Sequence, residues 1–161
     1  MLRVGDDEMN IVLHNPEIPH NTGAIGRTCL VAGARLHLIH PLGFILSEKH
    51  LARAGMDYWD KVDVTEYINF DDFLMKNKGA RIFLAETKGS IPYTQAKFKK
   101  DDFIVFGCET KGLPDWMLER YINRIISVPM KNDSRSLNLS VTVGIILYEA
   151  LRQTGFDDLR L

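Results

Sequence analysis

Residues 125–151, IISVPMKNDSRSLNLSVTVGIILYEAL, are the most informative part of this chain of 161 residues. An apolar run typical of a buried strand ends at Pro129, a polar loop follows, and Asn138 then stands at the N-cap position of an unusually apolar helix. Ligands of α/β sheets bind at the carboxyl ends of strands, where such a loop would lie. The stretch is therefore typical of a binding site, and equally of a capped helix that follows an ordinary polar turn.

Strand and helix patterns alternate along the rest of the chain and predict its fold class. Strands are expected at 10–14, 36–40, 62–67, 81–85, 103–107 and 125–128, and helices at 21–32, 48–54, 70–77, 114–121 and 139–154. Such alternation with short connections predicts an α/β fold, a mostly parallel sheet covered by helices. We expect residues 1–161 to form one domain, with residues 1–8 as a polar leader outside the fold.

Composition limits the classes of function. The net charge of −1 and the pI near 6.5 give no overall positive field, so any binding to RNA must use local basic patches. The five histidines form no HxH or HExxH pair, and the two cysteines lack metal-ligand spacing, which predicts no metal and buried free thiols. With no apolar segment typical of a signal peptide and none near the ~20 residues of a membrane span, the chain is predicted to be cytoplasmic.

The last predicted helix is apolar on two sides. Because a small domain covers one such face with its sheet, the other face needs a partner. We therefore expect a homodimer with this helix near its two-fold axis. The two faces consist of Leu139, Val143, Leu147 and Ala150, and of Val141, Ile145, Tyr148 and Leu151.

Three glycine-containing segments are expected as loops after apolar strands: NTGAIG at 21–26, ETKG at 86–89 and GCETKGLP at 107–114. None matches GxGxxG or GxxxxGK[ST], so neither a dinucleotide nor a triphosphate is indicated. Such loops suit a nucleoside without phosphates, whose base edge pairs with backbone groups. S-adenosylmethionine is a ligand of this type, and a carboxylate such as Glu109 would favour its sulfonium cation. Ordinary glycine turns remain the simpler interpretation of each loop taken singly.

Four motifs in order resemble the signatures of the SPOUT methyltransferases, and within them the TrmL/YibK group of small tRNA ribose methyltransferases. They are NPEIPHNTGAIGRTC at 15–29, HPLGF at 40–44, FGCETKGLP at 106–114 and SVPMKNDSRSLNLSVTVGIILYEA at 127–150. The resemblance covers about residues 10–155. Asn15 and Ala24 depart from the family pattern, where an acidic residue and an asparagine are common, and both lie on the expected substrate side.

The resemblance implies a fold, a cofactor and a reaction. The family has a deep trefoil knot in its C-terminal part, works as a homodimer, and methylates a ribose 2′-hydroxyl with S-adenosylmethionine, leaving S-adenosylhomocysteine and using no metal. Its TrmL/YibK group acts on cytidine or uridine at the wobble position 34, in the anticodon region of tRNA. Matched by motif, the cofactor-binding positions are Ala85, Thr87, Gly107, Glu109, Val128, Met130, Ser136 and Leu137.

The same resemblance assigns the catalytic and substrate-binding positions. Arg27 matches the catalytic arginine, with Ser136 and Asn138 beside the reaction, although capping of the last helix also accounts for Asn138. A guanidinium stays protonated in proteins, so stabilising the developing alkoxide or gripping a phosphate is an easier role for Arg27 than general base. The substrate-binding residues are expected to be Asn21, Arg27, Lys131 and Arg135.

Two alternative functions remain open from the sequence. One is the same chemistry on ribosomal RNA or at another tRNA position. The other is a non-catalytic module that binds an adenosyl ligand or RNA. The retention of Arg27 with Ser136 and Asn138 favours an enzyme over the non-catalytic module.

Overall fold

Within residues 7–53, 55–157 and 159–161, which the computed structural model describes, seven strands form one sheet. They are β1 (Asn10–His14), β2 (Arg35–Ile39), β3 (Val64–Tyr67), β4 (Ile82–Ala85), β5 (Ile91–Pro92), β6 (Phe103–Phe106) and β7 (Ile125–Ser127). The strand order is β3-β2-β1-β6-β4-β7-β5, and each neighbouring pair is parallel. The predicted α/β class with a parallel sheet is therefore confirmed.

Helices cover both faces of this sheet. They are α1 (Pro19–Ala32), α2 (Glu48–Arg53), α3 (Phe70–Lys76), α4 (Asp115–Arg120) and α5 (Leu139–Thr154). Helices α1 and α5 contact each other and contribute to one apolar core, and α3 and α4 contribute to the core on the other face. The helix that follows the polar loop is thus held in the core, as its apolar sequence predicted.

The central strands form because their side chains are apolar on both faces. All residues of β4 are buried, and Ile104, Val105 and Phe106 of β6 are at most 1% exposed. Continuous apolar runs of this kind are typical of parallel strands covered on both sides. Each fully buried aliphatic side chain contributes roughly 1.5–3 kcal/mol, so these strands form the stable base from which the loops project.

The start of α1 differs from the prediction. The helix begins at Pro19, with Ile18 as the N-cap residue, and neither Asn21 nor Thr22 is a cap. Proline suits the first helical position because its φ is preset and its missing N–H would have no partner there. The segment NTGAIG is therefore part of a helix and not a ligand-binding loop. The predicted helix end is confirmed, since Gly33 has φ 67° in the left-handed region.

Smaller differences concern strands and helix ends. Strand β3 starts at Val64 because Trp59–Lys61 form a turn of 3₁₀ helix, and β5 was not predicted. Asn69 caps α3 as expected, since its Oδ1 accepts a hydrogen bond from the Asp72 backbone N–H at 2.9 Å. The last predicted residue of the second helix, at position 54, lies outside the described residues, as do residues 1–6 of the predicted leader.

The C-terminal half brings distant segments into close contact. Gly89, in the connection between β4 and β5, lies directly against β7, where an ideal Cβ would be 2.6 Å from the Ile126 carbonyl carbon. Only a residue without a side chain fits such an approach. This close packing of the β4–β5 connection on β7 is compatible with a knotted chain path near β4, β6 and β7. The trefoil knot itself stays a prediction from the family resemblance.

Candidate functional site

A cavity of about 470 Å³ lies at the carboxyl ends of β4, β6 and β7. Its volume is within the range of roughly 300–1,000 Å³ typical of sites for small molecules. All the predicted cofactor-binding residues line it, namely Ala85, Thr87, Gly107, Glu109, Val128, Met130, Ser136 and Leu137. Asn21 and Asn138 line it as well. The fold thus gathers residues from four separate parts of the sequence into one cavity.

Further lining residues were not predicted as site residues. They include Glu86, Cys108, Thr110, Gly112, Ser127 and Thr142. Most of them adjoin a predicted residue at the end of a strand. Considering every residue that follows β4, β6 and β7 would have found them, because the carboxyl ends of parallel strands share one edge of the sheet.

One wall of the cavity is a tightly folded loop after β6. An ideal Cβ on Gly107 would be 2.2 Å from the Gly112 carbonyl carbon, so the backbone of the loop returns onto itself there. The Gly112 N–H donates to the Cys108 carbonyl at 3.0 Å, and the Leu113 N–H donates to Glu86 Oε1 at 2.6 Å. Gly112 has φ 66°, which favours glycine. These contacts fix the backbone of the loop where it forms the wall of the cavity.

Glu109 joins this loop to the beginning of α1. Its carboxylate accepts hydrogen bonds from the backbone N–H groups of Glu17 at 2.8 Å and Ile18 at 3.1 Å, and from Asn21 Nδ2 at 3.2 Å. A carboxylate at this end of a helix also interacts favourably with the helix dipole. Although Glu109 lines the cavity, the structure directs its oxygens toward α1, which is a different role from the expected attraction of a sulfonium.

Asn138 caps α5, as one of the two expected roles requires, and it also lines the cavity. Its Oδ1 caps α5 by accepting from the Ser140 N–H at 2.9 Å and the Val141 N–H at 3.4 Å. Its Nδ2 donates to Asn21 Oδ1 at 3.1 Å. Asn138 is therefore a helix cap that also lines the cavity and contacts α1.

The predicted basic residues lie outside the cavity. Arg27 is exposed on α1, with its guanidinium carbon 5.5 Å from the centroid of the Tyr58 ring. Lys131 and Arg135 are exposed in the loop before α5, each next in sequence to a lining residue, Met130 or Ser136. Lys131 and Arg135 therefore adjoin the cavity in sequence, Arg27 lies further along α1 against Tyr58, and only Asn21 of the predicted substrate-binding residues lies within the wall.

Local electrostatics near the cavity involve Glu17. The Thr110 hydroxyl donates to Glu17 Oε1 at 2.8 Å, and this hydrogen bond is the largest cause that lowers the pKa of the carboxyl. Cys29 is buried as predicted, and burial raises the pKa of its thiol to about 12. Cys108 was expected to be buried too, but it is only partly buried because it lines the cavity. In the part of the chain that the structure describes, no cluster of His, Cys, Asp or Glu side chains is arranged as a metal site. None of the helices in these residues could span a membrane.

A known protein family and several known proteins match most of this chain. The model of the SpoU rRNA methylase family matches residues 8–148. The tRNA (cytidine(34)-2′-O)-methyltransferase of Saccharophagus degradans is 46% identical over 149 residues, which are 91% of this chain and 96% of that protein.

Solved structures agree with the fold. A structure described as giving insight into the 2′-OH methylation of C/U34 on tRNA has a TM-score of 0.84 and 44% identity, over 91% of this chain and 95% of the other. An AdoMet-bound rRNA methyltransferase from Sinorhizobium meliloti has a TM-score of 0.80 and 26% identity, over 94% of this chain and 58% of the other. With the cavity, the sheet order and these matches together, the chain belongs to the SpoU rRNA methylase family of SPOUT-type methyltransferases.

Proposed function

We propose that this protein transfers a methyl group from S-adenosylmethionine to the ribose 2′-hydroxyl of cytidine or uridine at position 34 of tRNA. The observation that carries the proposal is the single cavity that contains every predicted cofactor-binding residue, with Asn21 of α1 in its wall. Because Arg27 lies on the same helix as Asn21, the residue expected to act on the ribose is attached to the wall of the cofactor site.

The lining residues fit S-adenosylmethionine. Gly107 and Gly112 line the cavity without side chains that would fill it, and Val128, Leu137 and Ile146 supply apolar surface for a planar base. When bound, the cofactor supplies a methyl group on a sulfonium, which a nucleophile accepts directly without a metal. Nothing in this cavity resembles a phosphate-binding loop, which favours a nucleoside-type ligand over a nucleotide.

The position in tRNA rests on the relatives, which are named for the methylation of nucleotide 34 of tRNA or were solved to explain it. The neighbour that acts on rRNA is less similar, at 26% identity, and this chain spans 58% of its length. The exposed basic residues Arg27, Lys131 and Arg135 are available to contact phosphates of the tRNA. Methylation of ribosomal RNA is the second candidate, supported by the name of the family.

Positioning accounts for much of the proposed catalysis. Asn21, Asn138 and Glu109 hold α1 and α5 at fixed places beside the cavity, which limits the motion of the acceptor relative to the methyl group. Arg27 offers a cation that stabilises the negative charge developing on the 2′-oxygen as the O–CH₃ bond forms, the S–CH₃ bond breaks and the hydroxyl proton passes to solvent water. A guanidinium is a poor proton acceptor, so we assign it electrostatic stabilisation and phosphate contact rather than general-base catalysis.

We further propose a cytoplasmic homodimer formed through α5. Val141 and Tyr148 of α5 are 50% and 42% exposed, although Val143, Ile146 and Leu147 of the same helix are completely buried. The second apolar face of the helix is therefore uncovered in one subunit, as a dimer interface would be. A dimer would also enlarge the surface offered to tRNA.

The substrate is tested with purified protein, S-adenosylmethionine, and either unmodified tRNA or ribosomal RNA. After digestion, mass spectrometry detects 2′-O-methylcytidine and 2′-O-methyluridine, and nuclease fragments locate the modified nucleotide. The proposal predicts methylation of tRNA at position 34, abolished when that nucleotide is replaced by its 2′-deoxy form. Methylation of ribosomal RNA alone would instead support the second candidate.

A further inference from the structure

The segment between α2 and β3 packs unusually closely against α1. An ideal Cβ on Gly23 would be 2.3 Å from Met56 Sδ, and one on Gly26 would be 2.5 Å from Trp59 Cζ3. Residues three apart share one face of a helix, so the two glycines together form a flat strip on α1. Met56 and Trp59 are both buried on this strip. The close packing brings Tyr58, which directly precedes Trp59, to the surface of α1.

Tyr58 contacts α1 in two ways. Its hydroxyl donates to the Gly23 carbonyl at 2.8 Å, and its ring lies 5.5 Å from the Arg27 guanidinium carbon. Gly23 precedes Arg27 by one helical turn, so the hydroxyl anchors the ring directly below the arginine. The Tyr58 hydroxyl is a protonated donor at neutral pH, and burial raises its pKa further above the ordinary value.

Arg27 depends on this contact for its orientation. Among residues 7–53, 55–157 and 159–161, no carboxylate or carbonyl pairs with its guanidinium, and the Tyr58 ring is its interaction partner. An exposed arginine without a partner samples many rotamers. A cation within about 6 Å of an aromatic centroid is attracted to the ring face, and the planar guanidinium also stacks on it. The anchored ring therefore restricts where the guanidinium can lie.

We propose that Tyr58 is a positioning residue for Arg27 in the methyl-transfer reaction. This inference rests on the proposed function, since it concerns the step in which Arg27 acts. Tyr58 itself need not touch the substrate or the cofactor: its ring holds the guanidinium, and its hydroxyl holds the ring. Removing the ring should weaken catalysis through Arg27 without disturbing the cofactor cavity, of which Tyr58 is not a lining residue.

The kinetic test compares Tyr58→Leu, which removes the ring, with Tyr58→Phe, which removes only the anchor. We expect Tyr58→Leu to lower kcat about tenfold with the KM for S-adenosylmethionine unchanged, because small misplacement of a catalytic group has effects of this size. Tyr58→Phe should retain most of kcat. The matched control is Tyr121→Leu, because Tyr121 also carries an arginine, Arg120, on its ring at 5.6 Å but lies with α4 on the other face of the sheet.

A double-mutant cycle separates positioning from a general structural role. If Tyr58 acts through the guanidinium, Tyr58→Leu should cost much less in the Arg27→Lys background than in the wild type, because lysine cannot stack on the ring. Equal costs in both backgrounds, or full activity of Tyr58→Leu, would overturn the inference. A loss equal in Tyr58→Phe and Tyr58→Leu that follows a fall in Tm would also overturn it.

A spectroscopic measurement is independent of turnover. The Nε–Hε signal of Arg27 in ¹⁵N-labelled protein should carry a ring-current shift, retained in Tyr58→Phe and lost in Tyr58→Leu. A signal unchanged by Tyr58→Leu would contradict the positioning role even in an active enzyme. A wild type that methylates no RNA but shows the shift would instead contradict the proposed function and leave the contact itself established.

Discussion

Asn138 Nδ2 donates a hydrogen bond to Asn21 Oδ1 at 3.1 Å, although the two residues are 117 positions apart in sequence. The bond joins the N-terminus of α5 to α1. Asn21 in turn donates to Glu109, whose carboxylate also accepts from the beginning of α1. Hydrogen-bonded side chains from the N-cap of α5, from α1 and from the loop after β6 thus line one side of the cavity. Its consequence is that the cap of α5, the start of α1 and the loop after β6 keep a common geometry.

Asn138 variants separate its two contacts. Asn138→Ala removes the cap and the bond to Asn21, and loss of such a cap costs about 1 kcal/mol of unfolding free energy. Asn138→Asp keeps an acceptor for the α5 N–H groups but places a second oxygen against Asn21 Oδ1. We therefore expect Asn138→Asp to be more stable than Asn138→Ala in urea unfolding, yet to bind S-adenosylmethionine more weakly than the wild type. Wild-type cofactor affinity in both variants would show that the contact with Asn21 does not shape the cavity.

The glycine strip on α1 predicts an unusual response to alanine. Alanine normally stabilises a helix interior by about 1 kcal/mol relative to glycine. At Gly26 the added Cβ would be 2.5 Å from the Trp59 ring, so Gly26→Ala should lower the Tm. Gly144→Ala is the control, measured in the monomeric Val141→Glu background because Gly144 shares the α5 face of the proposed interface; within the subunit nothing lies within 4 Å of its Cβ position. The prediction fails if calorimetry finds Gly26→Ala as stable as Gly144→Ala.

The buried His37 should make the fold sensitive to acid. Its Nδ1 and Nε2 lie 2.8 Å from the Tyr67 hydroxyl and 2.9 Å from Asn10 Oδ1, an arrangement that neutral imidazole satisfies. Burial first, and the charge of Arg35 second, lower the pKa of His37 from 6.5 to about 4. Between these values the unfolded chain binds the proton and the folded protein does not, so stability falls as pH falls through this window.

Comparing the wild type with His37→Gln measures the size of this pH effect. A pKa shift of this size corresponds to a loss of about 3 kcal/mol in the free energy of unfolding between neutral pH and the lower end of the window. His37→Gln should lower stability at neutral pH but show a smaller further loss on acidification. His50→Gln, on the exposed surface of α2, serves as control and should follow the wild type. Equal pH dependence of His37→Gln and wild type in urea unfolding would contradict the assignment.

The dimer proposal predicts that a charge on the uncovered face of α5 gives a monomer. Val141→Glu would bury an unpaired carboxylate in the interface, which is strongly unfavourable. Light scattering after gel filtration should therefore show the mass of one chain for Val141→Glu and of two chains for the wild type. Met75→Glu is the control, because Met75 is 65% exposed on α3, across the sheet from α5. A dimeric Val141→Glu would place the interface elsewhere.

The sequence predicted best what depends on local patterns. The strands β1, β4 and β6 were found because continuous apolar runs identify strands buried on both faces, and α5 was found with both its ends. Strand β5 was missed because its two residues, Ile91 and Pro92, are defined only by pairing with β7. The start of α1 was misplaced because Asn21 resembles a cap, whereas its side chain is bound to Glu109 and Asn138.

The site was less predictable from residue patterns alone than the strands and helices were. Its cofactor-binding positions followed from the motifs that resemble a known family, whereas spacing alone left both a nucleoside site and ordinary glycine turns open. None of the four motifs that resemble the family indicates the contact between Tyr58 and Arg27. The contact depends on how closely residues 55–61 pack on α1. The spacing of Gly23 and Gly26 on one helix face is the feature that could have indicated it.

The central claim is that the protein is an enzyme in which Arg27 acts on the acceptor and the cavity holds the cofactor. The most direct measurement is methyl transfer to tRNA by wild type and Arg27→Ala, with S-adenosylmethionine affinity measured by calorimetry on the same samples. We predict that Arg27→Ala loses at least about a hundredfold in kcat while its cofactor affinity stays within about twofold of the wild type. Undiminished turnover in Arg27→Ala, or equal inactivity of the wild type on every RNA offered, would contradict the account.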